Sequence, residues 1–314
     1  MSHIEARDLE GRIAGEVLTV VGWSADGWFG RALVGLISRS VRRFAEVAAT
    51  CDRLVAKEGF VAAGRWTLLQ LASGLRVEGA EHVPVAGPAL IVCNHPGSVD
   101  ALALVASSGR DDLKILAWPM PFLQYLPNVS RHLVFASEEK TRRAGAAREG
   151  IRHLAEGGAL LLFARGQPEP DPATMRGAEA ELRHWSRSIE LFLRAVPQTT
   201  VVPAIVGGVL APRFVHHPLT WIRRGRLQRQ RTAIVLQFIH QMRGKRIPLV
   251  PRVTFGEALS GEALLADPVP AIIASARELL ARHTLAIPLS LGRNRFVRAS
   301  PDGGPTAGCS HPTA

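Results

Sequence analysis

The sequence predicts an α/β protein with a mostly parallel central sheet between helical layers, preceded by an N-terminal amphipathic helical hairpin. Three observations lead there. After Gly74 short β-rich runs alternate with longer helical ones. Two inner runs, ALIVC at 89–93 and ALLLF at 159–163, are apolar at every position, as strands covered on both faces must be. Before Gly74, apolar residues instead recur at helical spacing.

Taken in order, Leu33, Ile37, Val41, Phe44, Ala48 and Cys51 repeat every three or four residues and predict a long amphipathic helix over 32–55. Its other face carries Arg39, Arg42, Arg43 and Glu46. Gly59 punctuates it before a second helix over 60–71, and Trp23, Trp28 and Phe29 stand upstream. Such a hairpin either packs on the main domain or also lies in a headgroup layer, arginines outward and aromatics at the boundary. Strands are predicted over 75–78, 89–93, 113–118, 133–136, 159–163, 200–206, 233–239 and 251–255, and helices over 98–106, 141–155, 186–195 and 268–285. The stretch SPDGGPTAGCSHPTA is rich in Gly and Pro and is predicted to be disordered. The chain thus divides into a helical, membrane-associating candidate region at 1–73, an α/β domain at 74–298 and a tail at 299–314.

A chain of 314 residues, 47% hydrophobic, can bury a sizeable core, which excludes disorder as the main state. No run of about 18 apolar residues is present, so no ordinary spanning helix is expected. The first residues lack a secretory signal's basic stub and apolar stretch, so the expected compartment is cytoplasmic. Cys51, Cys93 and Cys309 lie far apart without short Cys or His spacing, so neither a disulfide framework nor a metal site is expected. His216 and His217 are adjacent and read as loop histidines. Basic residues number 38 against 27 acidic, a formal +11, and only Lys57, Lys114, Lys140 and Lys245 are lysines. Such a surface attracts nucleic acid, an anionic membrane face, an acyl carrier protein or a phosphorylated small molecule. The densest basic stretch, WIRRGRLQRQR, holds Arg223, Arg224, Arg226, Arg229 and Arg231, with MRGKR at 242–246. It reads as a solvated surface or as a docking face for membrane or carrier protein. Aromatics make up 6% of the chain and do not interleave with this cluster, which argues against nucleic acid.

The chemistry concentrates in ALIVCNHPGSVDALALV, residues 89–105. A buried strand runs into Asn94, His95, a Pro96-Gly97 turn, Ser98 and Asp100, then an apolar helix. On a regular helix, residues five apart sit about 140° apart and could not pair. A turn capped by Ser98 lets the Asp100 carboxylate reach back to the imidazole. That fixes the ring's tautomer and frees its other nitrogen to take a proton from a substrate hydroxyl attacking an activated acyl carbonyl. Backbone amides at the helix start point to the same place as a stabiliser of the oxyanion.

NHPGSVD resembles the NH-x-x-x-x-D block of the phospholipid and glycerol acyltransferases, the family of lysophosphatidic acid acyltransferase. The likeness runs from about Leu75 to Val209. It includes the lead-in RVEGAEHVPVAGPALIVCNH, the helix TRRAGAAREGIRHLAEGGALLLF and the Val-Pro block VVPAIVGG. The resemblance implies His95 as general base, Asp100 as its orienting partner, an acyl-CoA or acyl carrier protein thioester as co-substrate with no bound cofactor, and a lysophospholipid-like acceptor at a membrane. Asn94 and Ser98 are expected to hold the turn. Two blocks depart from the family. Phe-Pro-Glu-Gly-Thr-Arg is replaced by Phe163, Ala164, Arg165, Gly166, Gln167 and Pro168, and the Arg expected after the second block's strand is replaced by ASEEKTRR. Arg165, Gly166, Lys140, Arg142 and Arg143 are therefore the expected contacts for an anionic group on the acceptor. The change of an acid to Arg165 also admits a catalytically inactive lipid-binding or carrier-docking protein on the same fold.

Overall fold

The computed structural model describes Glu10, Ile13 and residues 27–284 apart from 138, 245 and 246. In chain order the main elements are α1 (Gly27–Glu58), α2 (Phe60–Leu71), β1 (Arg76–Glu78), β2 (Ala89–Cys93), α3 (Asp100–Ser108), β3 (Lys114–Ala117) and β4 (Leu133–Phe135). There follow α4 (Lys140–Ala155), β5 (Ala159–Phe163), α5 (Ser188–Ala195), β6 (Thr200–Gly207), α6 (Arg226–Met242), β7 (Arg252–Phe255), β8 (Leu259–Ser260) and α7 (Pro268–Thr284).

The two all-apolar runs lie side by side at the sheet centre. The strand order is β1-β7-β6-β2-β5-β3-β4, with β8 added against β6. β6, β2, β5, β3 and β4 are parallel, while β7 and β8 run antiparallel to β6. Alternation along the pleat sends Ile91, Cys93, Leu161, Phe163, Val202 and Ala204 into one core, shared with apolar residues of α1, α2, α3 and α6. Leu90, Val92, Leu160, Leu162, Val201 and Ile205 enter the other, shared with α4, α5 and α7. Both faces of β2 are thus covered, and each such side chain contributes about 1.5–3 kcal/mol of burial. The mostly parallel sheet between helical layers is as the sequence predicts.

The N-terminal hairpin is packed on this domain. Ile37, Val41, Ala45, Ala48, Cys51 and Val55 of α1 enter the first core, and the Phe44 ring lies edge-on to Phe122 and Phe238, with centroids 5.5 and 4.8 Å away. Buried Asp52 accepts from the N–H groups of Asn128 and Val129 at 2.8 and 2.9 Å, tying α1 to the helical turn Pro127–Ser130. Arg39, Arg42 and Arg43 remain exposed. Trp23, the Trp28 and Phe29 side chains, Cys309 and the tail 299–314 lie outside the described residues. No helix among the described residues is long and apolar enough to cross a membrane.

One predicted element is wrong in kind. Residues 233–239, predicted as a strand, belong to α6. The apolar run AIV, with β-branched Ile234 and Val235, suggests a strand, but Gln230, Gln237 and Gln241, spaced seven and four apart, fall on one helical face. All three are buried, and their amides donate to the main-chain carbonyls of Pro96 between β2 and α3, Val209 after β6 and Leu71 of α2.

Candidate active site

β2 delivers the chain to the carboxyl edge of the sheet, the edge at which open α/β sheets place their ligand crevices. Asn94 fixes the exit: its Oδ1 accepts from Val206 N–H at 2.8 Å and its Nδ2 donates to Val206 C=O at 2.9 Å, clamping the strand end to β6. Gly97 and Ser98 then take φ of +87° and +62°, two consecutive left-handed residues that turn the backbone sharply. α3 consequently starts at Asp100, whose carboxylate lies beneath the turn. Asp100 Oδ2 accepts from His95 Nδ1 at 2.8 Å and from Gly97 N–H at 2.6 Å, while Oδ1 accepts from Ala101 N–H at 2.7 Å.

An ionised carboxylate only accepts, so this contact places the ring hydrogen on Nδ1 and leaves the Nε2 lone pair free. The Asp100 side chain is 3% exposed and that of His95 29%, so the acid is sealed while the imidazole opens to solvent. Phe163, ending β5, lies against the ring with centroids 4.2 Å apart. Burial opposes the imidazolium, but the charge and hydrogen bond of Asp100 and the charge of Glu169 outweigh it, raising the His95 pKa above its ordinary value.

Glu169 escaped the sequence reading. Its Oε2 accepts from His95 N–H at 2.9 Å, its own N–H donates to His95 C=O at 2.7 Å, and its Oε1 accepts from Trp185 Nε1 at 3.0 Å. The backbone of His95 is thus held from both sides by one residue that is 1% exposed. Burial drives the Glu169 pKa up to about 6, against the pull of Trp185 and His95 N–H. Gln230 of α6 closes the arrangement by donating to Pro96 C=O at 2.9 Å and Glu169 C=O at 2.6 Å. Asp171, also missed, accepts from Gly208, Val209 and Leu210 N–H at 2.8–2.9 Å and fixes the loop after β6. The available signal was PEPD at 168–171, two acids held by prolines just past an all-apolar strand.

The remaining predicted residues are placed as follows. Ser98 does not cap α3. Its left-handed backbone turns the hydroxyl out of reach of the helix amides, and Oγ instead accepts from Gln237 Nε2 at 3.1 Å. The N–H groups of Gly97, Asp100 and Ala101 are engaged within the turn. Arg165 pairs with Glu181 at 3.0 Å, and Arg226 reaches the same carboxylate at 3.2 Å. Gly166 is an exposed turn at φ +69°. Lys140, Arg142 and Arg143 are exposed at the start of α4, where Arg142 pairs with Glu139 at 3.1 Å. That helix follows β4, three strands from β2 and so about 14 Å across the sheet. These three are not brought to the His95–Asp100 pair. Cys51 and Cys93 are buried thiols, and no cluster able to hold a metal occurs among the described residues.

A sheet-edge histidine oriented by a buried acid, on this α/β scaffold, has the geometry of a general base. Residues 74–207 match the family model described as Acyltransferase, and the chain carries an acyltransferase-family domain. Among solved structures, the chain is similar to the crystal structure of the 1-acyl-sn-glycerophosphate (LPA) acyltransferase, PlsC, from Thermotoga maritima. The TM-score is 0.47 at 14% identity, covering 90% of this chain and 98% of that one. No match is found among the curated proteins compared.

Proposed function

We propose that this protein transfers a fatty acyl group from acyl-CoA or an acyl carrier protein thioester to a hydroxyl of a lysophospholipid or glycerolipid-like acceptor, working at an anionic membrane surface. The observation that carries the reading is the 2.8 Å contact from His95 Nδ1 to the sealed Asp100, which leaves Nε2 as a base at the sheet edge. Nε2 takes the acceptor's hydroxyl proton as the oxygen attacks the thioester carbonyl. The C–S bond then breaks, and the leaving thiolate takes that proton back from the imidazolium. General-base help of this kind contributes roughly 10² to 10⁴ in rate. Arg165 and Arg226, which share Glu181 beside the third block, are the basic groups we assign to an anionic group of the acceptor.

The test follows thiol release from a long-chain acyl-CoA, with and without a lysolipid mixture. Release that needs both substrates supports transfer and eliminates the inactive lipid-binding alternative. Release by His95→Ala as fast as by the parent, at equal folding, refutes the assigned base. Mass spectrometry of the lipids formed reads the acceptor directly.

A further inference from the structure

The positive charge of the chain has a definite location. Between Leu191 and Gly256 the sequence contains ten arginines and one lysine and no aspartate or glutamate, as many positive charges as the net +11 of the entire chain. In the middle of this stretch sits the helical turn Pro218–Trp221. Its Thr220 is fully buried, with Oγ1 donating to His217 C=O at 2.6 Å. Ile222 continues the helical backbone. At 100° per residue, an inward Thr220 sends Leu219, Trp221 and Ile222 into the outward arc. They are indeed 44%, 65% and 75% exposed. His216, Arg224 and Arg229, exposed as well, flank them in the chain. The turn leads into the candidate site through α6, which starts four residues after Ile222. There Arg226 donates to Pro168 C=O at 3.3 Å, and Gln230 holds Pro96.

We propose that Leu219, Trp221 and Ile222, flanked in the chain by exposed Arg224 and Arg229, form a lip that inserts into an anionic phospholipid surface and seats the mouth of the His95 site on the bilayer. An apolar, Trp-bearing turn followed by exposed arginines matches the two chemistries of that surface, acyl chains below and phosphates at the level of the guanidiniums. A polyanion without an apolar layer would leave the three apolar side chains in water. The purpose assigned to the docking rests on the proposed acyl transfer to a lipid acceptor, but the docking itself can be measured without turnover.

The full chain is sedimented with sucrose-loaded vesicles of phosphatidylcholine alone and of phosphatidylcholine with an equal amount of phosphatidylglycerol. Expected is at least tenfold stronger partitioning onto the anionic vesicles, weakening as salt rises. Trp221→Ser/Ile222→Ser, with an unchanged circular dichroism spectrum and melting transition, should lose at least tenfold of that binding, and Arg224→Gln/Arg229→Gln should lose both binding and salt sensitivity. Brominated acyl chains should quench the fluorescence of the parent more than that of Trp221→Phe. Parent-like vesicle binding by the Ser double variant, equal quenching of Trp221→Phe, or capture by an acidic carrier protein without vesicle binding would each overturn the lip. Thiol release by the same parent preparation on detergent-dispersed substrates judges the acyl-transfer reading separately: turnover without vesicle binding rejects the lip alone, and binding without turnover rejects the reaction alone.

Discussion

Asp100→Asn separates what the geometry of the dyad does from what its charge does. The three N–H groups around the Asp100 carboxylate are unevenly shared: Oδ2 accepts two, from Gly97 and His95, and Oδ1 accepts one, from Ala101. An asparagine oxygen placed at Oδ2 keeps two bonds and sets its NH₂ against one donor. The opposite flip keeps a single backbone bond and sets the NH₂ against Gly97 N–H. The Gly97 amide therefore selects the orientation that retains the productive tautomer. What disappears is the negative charge facing the imidazolium formed during transfer. With an effective dielectric near 20 and about 4 Å between charges, that attraction is at most about 4 kcal/mol. A loss of about 2–4 kcal/mol corresponds to a fall of roughly 30- to 1,000-fold in kcat/KM. Where such an amide instead flips and imposes the wrong tautomer, the loss is about 10⁴. The assay is thiol release from long-chain acyl-CoA with lysolipid across pH 5–9, beside Asp100→Ala as the variant that loses orientation as well. The acid limb of kcat/KM should move to lower pH in Asp100→Asn, since the group raising the His95 pKa has lost its charge. A rate within threefold of the parent, or an acid limb that stays where it was, would refute the reasoning.

Two further outcomes follow. Because the Glu169 pKa is raised from 4.5 to about 6 in the fold, the folded state holds more protons than the unfolded one between those values, and stability falls as pH rises through that window. The amplitude is about 2 kcal/mol. Urea titrations should show it as a parent-minus-Glu169→Gln difference that shrinks between pH 4.5 and pH 6.5. The raised His95 pKa acts in the same direction, since its stabilisation is present below 6.5 and lost as pH rises through the folded value. Glu169→Gln should also shift the acid limb of activity downward, a change that a merely structural defect would not produce. For Gly97→Ala, φ of +87° predicts a cost of about 1–2 kcal/mol, read as a melting temperature several degrees lower. A Cβ there would lie 2.7 Å from Ile234 Cδ1, a tip able to swing aside. Adding Ile234→Ala should therefore restore little, and full recovery in that double variant would show that the contact, not the backbone angle, is the cost.

Periodicity made the sheet legible. ALIVC and ALLLF, apolar on both alternations, coincide residue for residue with β2 and β5, because a strand covered on both faces admits no polar position. The helix over 60–71 was equally plain, bounded by a glycine at φ +91° and by the change of period after it. α6 was not legible as a helix. Its apolar run AIV favours extended structure locally, and its glutamine face acquires meaning only once the main-chain groups it meets are known. Propensity gave way there to tertiary hydrogen bonds.

The candidate site divides along the same line. His95 and Asp100 are close in sequence, so a strand, a turn and a helix start sufficed to pair them. Glu169 lies 74 residues from His95 and meets it only because β2 and β5 are neighbours in register, Cys93 opposite Phe163, so that both chains leave the sheet at one level. A reading by alignment compares the third position of the third block and finds Arg165, apparently an acid lost. The fold instead places a buried carboxylate four residues later, in bonding contact with the His95 backbone, and commits Arg165 to Glu181. With the charge inverted at 165, the carboxylate that lies beside the His95 backbone is that of Glu169, and the arginine stands one ion pair away.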